Sequence, residues 1–365
     1  MKKKLKILTI VGARPNFIKV APLIEEIGRV NKLKYLRAYP LKYRLVHTGQ
    51  HYDYEMSQVF FQELKIPKPD YNLGVGSGSH AWQTAKVMEK LEPVILKEKP
   101  NLVIVVGDVN STLAGALTAA KLHIPVAHIE AGLRSYDKTM PEEINRLLAD
   151  HLSDFLFCPT KTAIENLKKE GITKGVYNVG DIMYDTFLNS KFKIQNSKLL
   201  KKLGLKPKNY LLFTLHRPAN VDNLENLKKI LEVIQESGEK VIFPVHPRTR
   251  NQLKKLKLKI ENCKLEIIAP VGYLDMLCLE KNAKKILTDS GGVQKEAYWL
   301  KVPCITLRGK TEWVETVKSG WNILVRADKE KIKKAIKSFS PNGKQYDYFG
   351  DGKTAQKIVK ILLKQ

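Results

Sequence analysis

Side chains able to do acid–base or anion-binding chemistry recur in this chain directly after short apolar runs. In the first half, KILTIVG (6–12) is followed by Ala13-Arg14-Pro15, LVIVVG (102–107) by Asp108 and Asn110, and PVAHIE (125–130) ends in Glu130. In the second half, YLLFTL (210–215) is followed by His216-Arg217, KVIFPV (240–245) by His246-Pro247-Arg248, KILTD (285–289) by Ser290-Gly291-Gly292, and PCITL (303–307) by Arg308. If the runs are parallel strands, these residues share the rim at the strands' carboxyl ends, where open α/β sheets bind ligands. One polar residue after a strand is ordinary turn chemistry. A whole series of charged and imidazole groups argues for more.

The turn Asp289-Ser290-Gly291-Gly292 suits an anion. Two glycines let backbone N–H groups approach closely, Ser290 offers a hydroxyl, and the helix that follows adds its positive end, so phosphate is the expected guest. Taken alone, Ser290 could equally be a helix N-cap with glycines serving only the turn. Glu296, one turn into that helix, could accept hydrogen bonds from a sugar diol. Arg14, Lys19, His216 and Arg217 are the opposing cations for a diphosphate, although Lys19 taken alone is a surface lysine of the first helix. Asp108, Glu130 and the pair Glu142 and Glu143 in MPEEINR would repel such an anion and are expected to act as acid–base groups beside it. Moving a proton from one face of a carbon to the other needs at least two such groups. At a helix start, Glu142 and Glu143 would also simply complement the dipole. His47 and His51 in HTGQH have metal-like spacing, but a strand end and a glycine between them argue against a metal pair. No metal and no cofactor is expected.

Runs rich in Val, Ile and Leu alternate with helix-period segments along nearly the whole chain, including YRLVHT (43–48), FLFCPT (155–160), GVYNVG (175–180) and LEIIAP (265–270). This alternation is the mark of βαβ units and parallel sheets. With 365 residues the chain is long for one core, and the lysine-rich segment after Asp181 separates two strand series. The expected architecture is α/β, with two Rossmann-like domains, 1–182 and 183–365, whose rims face a cleft. The last helix, 353–365, is assigned to the second domain with the option of packing back on the first. Cys158, Cys263, Cys278 and Cys304 stand far apart in apolar settings and are expected to be buried free thiols. Lys+Arg exceed Asp+Glu by 63 to 37, a net +26, but the lysines are dispersed over helices without interleaved aromatics. A solvated surface, which also fits heat adaptation, is favoured over a nucleic-acid-binding one. No apolar stretch is long enough for a membrane span and the start is no signal peptide, so an intracellular soluble protein is expected.

The blocks GARPNFIKVAP (12–22), HTGQHYD (47–53), GDVNSTLAG (107–115), HIEAGLRSYD (128–137), MPEEINR (140–146), HRPANVDN (216–223), HPRTR (246–250) and TDSGGVQKEA (288–297) together resemble the non-hydrolysing UDP-N-acetylglucosamine 2-epimerases. The resemblance implies a fold of the glycosyltransferase B type, a cytoplasmic homodimer, and the UDP-sugar as substrate. It implies anti elimination of UDP across C1–C2, a bound 2-acetamidoglucal, and re-addition with a proton delivered to the opposite face. Asp108, Glu130 and Glu142 match the family's acid–base positions and His216 lies by the diphosphate. Arg14, Lys19, Arg146, Arg217, Ser290, Gly291, Gly292 and Glu296 match UDP or substrate positions. The chain departs from many members at Asn16-Phe17, where they have Glu-Ala, and at Trp313 in TEWVE, where they have arginine. At the stretch beside which some members bind an activating second substrate molecule it has Gln50-His51-Tyr52-Asp53, with no arginine in GVGSGSH. The GARP, HYD and TEW variants resemble a subgroup acting on UDP-2,3-diacetamido-glucuronate. A retaining glycosyltransferase of the same fold is the competing enzyme reading.

Overall fold

Fully apolar strands need helices on both faces, and the order of elements supplies them. A computed structural model describes residues 5–33, 41–51, 57–191, 194, 198–256 and 264–364. Tyr52, Asp53 and Cys263 lie outside these residues. Two compact units are present, one made of Met1–Asn189 with Asp347–Gln365, the other of Ser190–Tyr346.

The first unit runs β1 (Lys6–Val11), α1 (Arg14–Asn31), β2 (Lys42–His47), α2 (Gln58–Glu63), β3 (Tyr71–Asn72), α3 (His80–Glu98), β4 (Leu102–Val106), α4 (Asn110–Lys121), β5 (Val126–Ile129), α5 (Pro141–Leu152), β6 (Phe155–Cys158), α6 (Lys161–Lys169), β7 (Val176–Asn178) and α7 (Ile182–Ser190). Its strands form one parallel sheet in the order β3-β2-β1-β4-β5-β6-β7. Alternate residues divide between two cores, as the strand period requires. Ile7, Ile104, Ala127 and Phe157 pack towards Leu23 and Ile27 of α1, while Leu8, Val103, Val105 and Val126 pack towards Leu91 and Ile95 of α3 and Ala116 of α4.

The second unit runs α8 (Leu199–Lys202), β8 (Leu211–Thr214), α9 (Pro218–Val221), α10 (Leu224–Glu236), β9 (Val241–Pro244), α11 (Pro247–Leu256), β10 (Leu265–Ile268), α12 (Tyr273–Asn282), β11 (Lys285–Thr288), α13 (Gly291–Trp299), β12 (Cys304–Thr306), α14 (Val314–Lys318), β13 (Asn322–Leu324) and α15 (Lys329–Ser338). Its parallel sheet has the order β10-β9-β8-β11-β12-β13. The eleven expected strands are present with ends trimmed by a residue or two. The short strands β3 and β13 have too few residues to show a period. Among the described residues Cys158, Cys278 and Cys304 are buried free thiols, and no helix is long and apolar enough to cross a membrane.

The chain then returns to the first unit as α16 (Thr354–Leu362). Ala355, Ile358, Val359 and Leu362 join the core formed by Leu23, Ile27 and Val30 of α1. The residue before α16 is Lys353, whose side chain makes no cap hydrogen bond. Asp185 of α7 caps the helix instead, accepting from the N–H groups of Thr354 at 3.1 Å and Ala355 at 2.8 Å. Burial pushes the Asp185 carboxyl up, and those two donors work against the push. Asp185→Ala leaves two helix-end donors without an acceptor and should lower stability by about 1–2 kcal/mol. A urea midpoint equal to that of the parent would show that α16 is held by its apolar face alone.

Candidate active site

In the first sheet the strand order turns at β1 and β4, so the loops after these strands flank the switch point where ligands bind in such sheets. No side chain on Ala13 can cap α1, and Asn16 does this work: its Oδ1 accepts from the N–H groups of Gly12 at 3.0 Å and Ala13 at 3.1 Å. Asn16 Nδ2 donates to the Val106 carbonyl at 2.8 Å. The family departure at Asn16 therefore ties the β1 loop to the end of β4. Arg14 opens α1, its N–H donating to His51 Nδ1 at 3.0 Å and its guanidinium 5.9 Å from the centre of the Phe60 ring.

Lys19 is not the surface lysine that its helix position suggests. It is 5% exposed and its ammonium pairs with Glu130 Oε2. Glu130 follows β5 with φ +74°, a left-handed conformation uncommon for a non-glycine residue. Gly107, after β4, is also left-handed at +66°, and a Cβ there would lie 3.0 Å from Lys19 Nζ and 3.5 Å from Glu130 Oε2. Glycine thus leaves room for the ion pair beside the loop that carries Asp108.

Helix α5 starts with Pro141 in its first turn and Glu142 and Glu143 behind it, a sequence suited to a helix N-terminus. The two glutamates differ in function. Glu143 is buried and accepts from Ser135 N at 2.9 Å, Ser135 Oγ at 2.8 Å and Tyr136 N at 2.9 Å, so it anchors the loop before the helix. Arg146, 1% exposed, reaches Glu143 Oε2 at 3.1 Å and pairs with Asp108 Oδ2. Asn145 Nδ2 donates to the Asp108 carbonyl at 2.9 Å. Glu142, half-buried, stands one turn before Arg146.

His47 is buried, its Nδ1 accepts from Gly49 N at 2.9 Å, and burial lowers its pKa to about 4. His51 Nδ1 accepts from Arg14. Both rings are thus engaged in holding loops. Gln50 Oε1 accepts from Ser111 Oγ at 2.8 Å.

In the second sheet β8 and β11 flank the turn in strand order. Asp289, fully buried, is the hub: its carboxylate accepts from His216 N at 3.1 Å, Arg217 N at 2.9 Å and Asn220 Nδ2 at 3.2 Å. Burial pushes the Asp289 carboxyl up, against these donors. His216 Nδ1 lies 3.3 Å from Asp289 Oδ1, and the His246 ring stands 5.8 Å from the His216 ring. The loops after β8, β9 and β11 therefore meet.

Ser290 precedes α13 without making a side-chain cap bond, which removes the simple N-cap explanation of that residue. Gly291 does not adopt a positive φ. It is needed for close approach, since a Cβ would lie 2.4 Å from Glu312 Oε1 and 3.1 Å from Trp313 Nε1. Glu312 is held by Arg308 at 2.8 Å. Gly292 is partly exposed and Glu296 buried, one turn further on. Trp313, in the arginine's place, brings a cation with it: Lys295 Nζ lies 3.9 Å from its ring centre, and Lys295 is 1% exposed.

Sequence reasoning missed Asp289 as an anchor and Asn16, Asn145 and Glu143 as loop holders, because nothing in the sequence marks the backbone groups they hold. Asn16 gave a faint signal, three residues after a left-open N-cap.

Comparison with known proteins gives the family. Residues 34–363 match the family model described as UDP-N-acetylglucosamine 2-epimerase. A protein of Methanococcus maripaludis named UDP-N-acetylglucosamine 2-epimerase homolog is 57% identical, covering 98% of this chain and 99% of that one. A UDP-2,3-diacetamido-2,3-dideoxy-D-glucuronate 2-epimerase of Pseudomonas aeruginosa is 46% identical over 99% of this chain and 100% of that protein. The crystal structure of Methanocaldococcus jannaschii UDP-GlcNAc 2-epimerase in complex with UDP-GlcNAc and UDP superposes with a TM-score of 0.91 at 47% identity, covering 99% of this chain and 100% of that one. With both sheets and nearly its full length accounted for, the chain belongs to the UDP-N-acetylglucosamine 2-epimerase family and is an isomerase of the two-Rossmann-domain, glycosyltransferase-B-like fold.

Proposed function

We propose that the chain interconverts UDP-N-acetylglucosamine and UDP-N-acetylmannosamine without releasing the free sugar. A carboxylate of the first unit takes the C2 proton as the C1–O bond breaks, its electron pair leaving with the β-phosphate oxygen of UDP. The C2–H pair becomes the C1=C2 bond of 2-acetamidoglucal. In the return step the phosphate oxygen attacks C1 and a proton reaches C2 from the opposite face, so no atom is gained or lost. Positive character building at C1 as UDP departs acidifies the C2 proton, which is why cations on the leaving group promote both events.

Asp108, Glu130 and Glu142 form the acid–base set, with Lys19 and Arg146 binding substrate and holding the first two carboxylates. Arg14, His216, Arg217, Ser290, Gly291 and Gly292 hold the diphosphate, and Glu296 the ribose. The observation that carries this reading is the pairing of two rim carboxylates with buried cations, Glu130 with Lys19 and Asp108 with Arg146. Both carboxylates are thereby fixed on the rim by cations from other elements.

A second reading, 2-epimerisation of UDP-2,3-diacetamido-2,3-dideoxyglucuronate, is favoured by Trp313 and by the name of the 46% identical relative. We also place the enzyme in the cytoplasm as a homodimer. Support for the dimer comes from Ile144 and Leu148, 46% and 47% exposed one turn apart on α5, opposite the face that carries Arg146.

Incubation with each UDP-sugar in deuterated water, followed by NMR, tests the reaction. Deuterium at C2 and a mixture of both epimers are expected from UDP-GlcNAc. Label entering only the diacetamido-uronate would establish the second reading, and label in neither would sink both. Asp108→Asn should slow exchange by about 10²–10⁴-fold and leave UDP affinity unchanged; full exchange in that variant would remove Asp108 from the set. For the assembly, the double substitution Ile144→Glu with Leu148→Glu should give a monomer in light scattering. A mass unchanged from a dimeric parent would place the interface elsewhere.

A further inference from the structure

We infer that His128, fully buried on β5, is a positioning residue for this reaction: an imidazolium donating from both ring nitrogens, it locks the Gly107 peptide from which Asp108 is presented. The inference rests on the proposed epimerase chemistry for its consequence and on hydrogen-bond bookkeeping for its content.

His128 is 0% exposed, with Nδ1 2.7 Å from Asp150 Oδ1 and Nε2 2.7 Å from the Gly107 carbonyl oxygen. A peptide carbonyl only accepts. Asp150 is equally committed, because its Oδ2 accepts from Arg134 Nη1 at 2.6 Å and from Gly132 N at 3.1 Å. Although burial pushes the Asp150 carboxyl up, the charge and hydrogen bond of Arg134 draw it down whatever the state of the ring. With an acceptor at each nitrogen and no proton on either acceptor, both nitrogens carry hydrogen.

The charge this places in the core is balanced. Arg134 binds Glu170 through Nε at 2.7 Å and Nη2 at 2.6 Å, so two cations, His128 and Arg134, face two carboxylates, Asp150 and Glu170. Such a cluster is rigid because each member would be left as an uncompensated charge if another moved.

Its output is the Gly107 peptide. The N–H of Gly107 donates to Ile129 at 2.9 Å, and His128 takes the carbonyl that precedes Asp108. A neutral ring could satisfy only one of its two acceptors and would set a lone pair against the other. Arg146 thus holds the Asp108 carboxylate directly, while Asn145 and, through Gly107, His128 hold the backbone that carries it.

The experiment uses the full chain labelled with ¹⁵N-histidine. Near neutral pH, without substrate, the His128 resonances, identified by their loss in His128→Gln, should show two protonated nitrogens. One unprotonated nitrogen would overturn the inference. In kinetics, His128→Leu should lose about 10²-fold in kcat with KM and UDP affinity unchanged. His128→Gln, whose amide can still donate to the Gly107 carbonyl, should recover part of that loss. A kcat for His128→Leu near that of the parent, or a loss that His128→Gln does not relieve, would also overturn it. If His128→Leu fails to fold, the parent spectrum decides. Failure of the epimerase chemistry itself is seen separately, as a parent that exchanges no deuterium on either UDP-sugar while its spectrum is unaffected.

Discussion

A buried charge without a partner costs several kcal/mol, and this one constraint organises the rim of the first sheet. Once Glu130 is withdrawn from water it has to be met by a cation from another element. Lys19 can do so only from the inward face of α1, and Arg146 can meet Asp108 only from α5. The helices are therefore placed by the charges they bring as much as by their apolar faces. Two left-handed residues, Gly107 and Glu130, complete the arrangement by turning the chain at the ends of adjacent strands. One is a glycine and costs little, while the other is a glutamate held against an expected strain of about 1–3 kcal/mol.

The second unit applies the same constraint with the roles exchanged. Here the buried carboxylate, Asp289, spends its lone pairs on backbone and amide donors from the β8 loop, and so fixes the loop that carries His216 and Arg217. Electrostatically it is an anchor, hidden behind groups that present donors. Arg308 pairs with Glu312, and Lys295 lies against the Trp313 indole. A buried cation therefore lies beside Trp313, on α13 itself.

Much of the fold could be read from the chain because buried parallel strands are rich in Val, Ile and Leu, as in the uninterrupted apolar run of β4. Candidates for the site could be named from the sequence, since polar groups after strands and the family blocks fall at the same positions. Their relations were not legible. Nothing near Lys19 in the sequence announces Glu130, 111 residues away, and a lysine on a first helix is by default a solvent residue. Glu142 and Glu143 look interchangeable until helix geometry turns one of them towards Ser135. His128 lay inside an apolar run and had no feature of its own, because Asp150 and Gly107 meet it only when β5, α5 and the β4 loop are brought together. Ser290 was the reverse case, a local cap motif whose cap bond does not form.

The elimination proposed for this chain also explains why relatives with closely similar sequences carry names with different sugars. Breaking C1–O and removing the C2 proton involve two ring carbons and the diphosphate, and they are indifferent to the substituents at C3 and C5. The acid–base cluster and the nucleotide anchors can then be kept unchanged while the preferred sugar changes. A uronate differs from a hydroxymethyl group by a full negative charge, and burying that charge requires a cation or donor that the neutral sugar does not need. Discrimination must accordingly be set by residues outside the Lys19–Glu130 and Asp108–Arg146 pairs, where a substitution can alter recognition without disturbing the proton transfer.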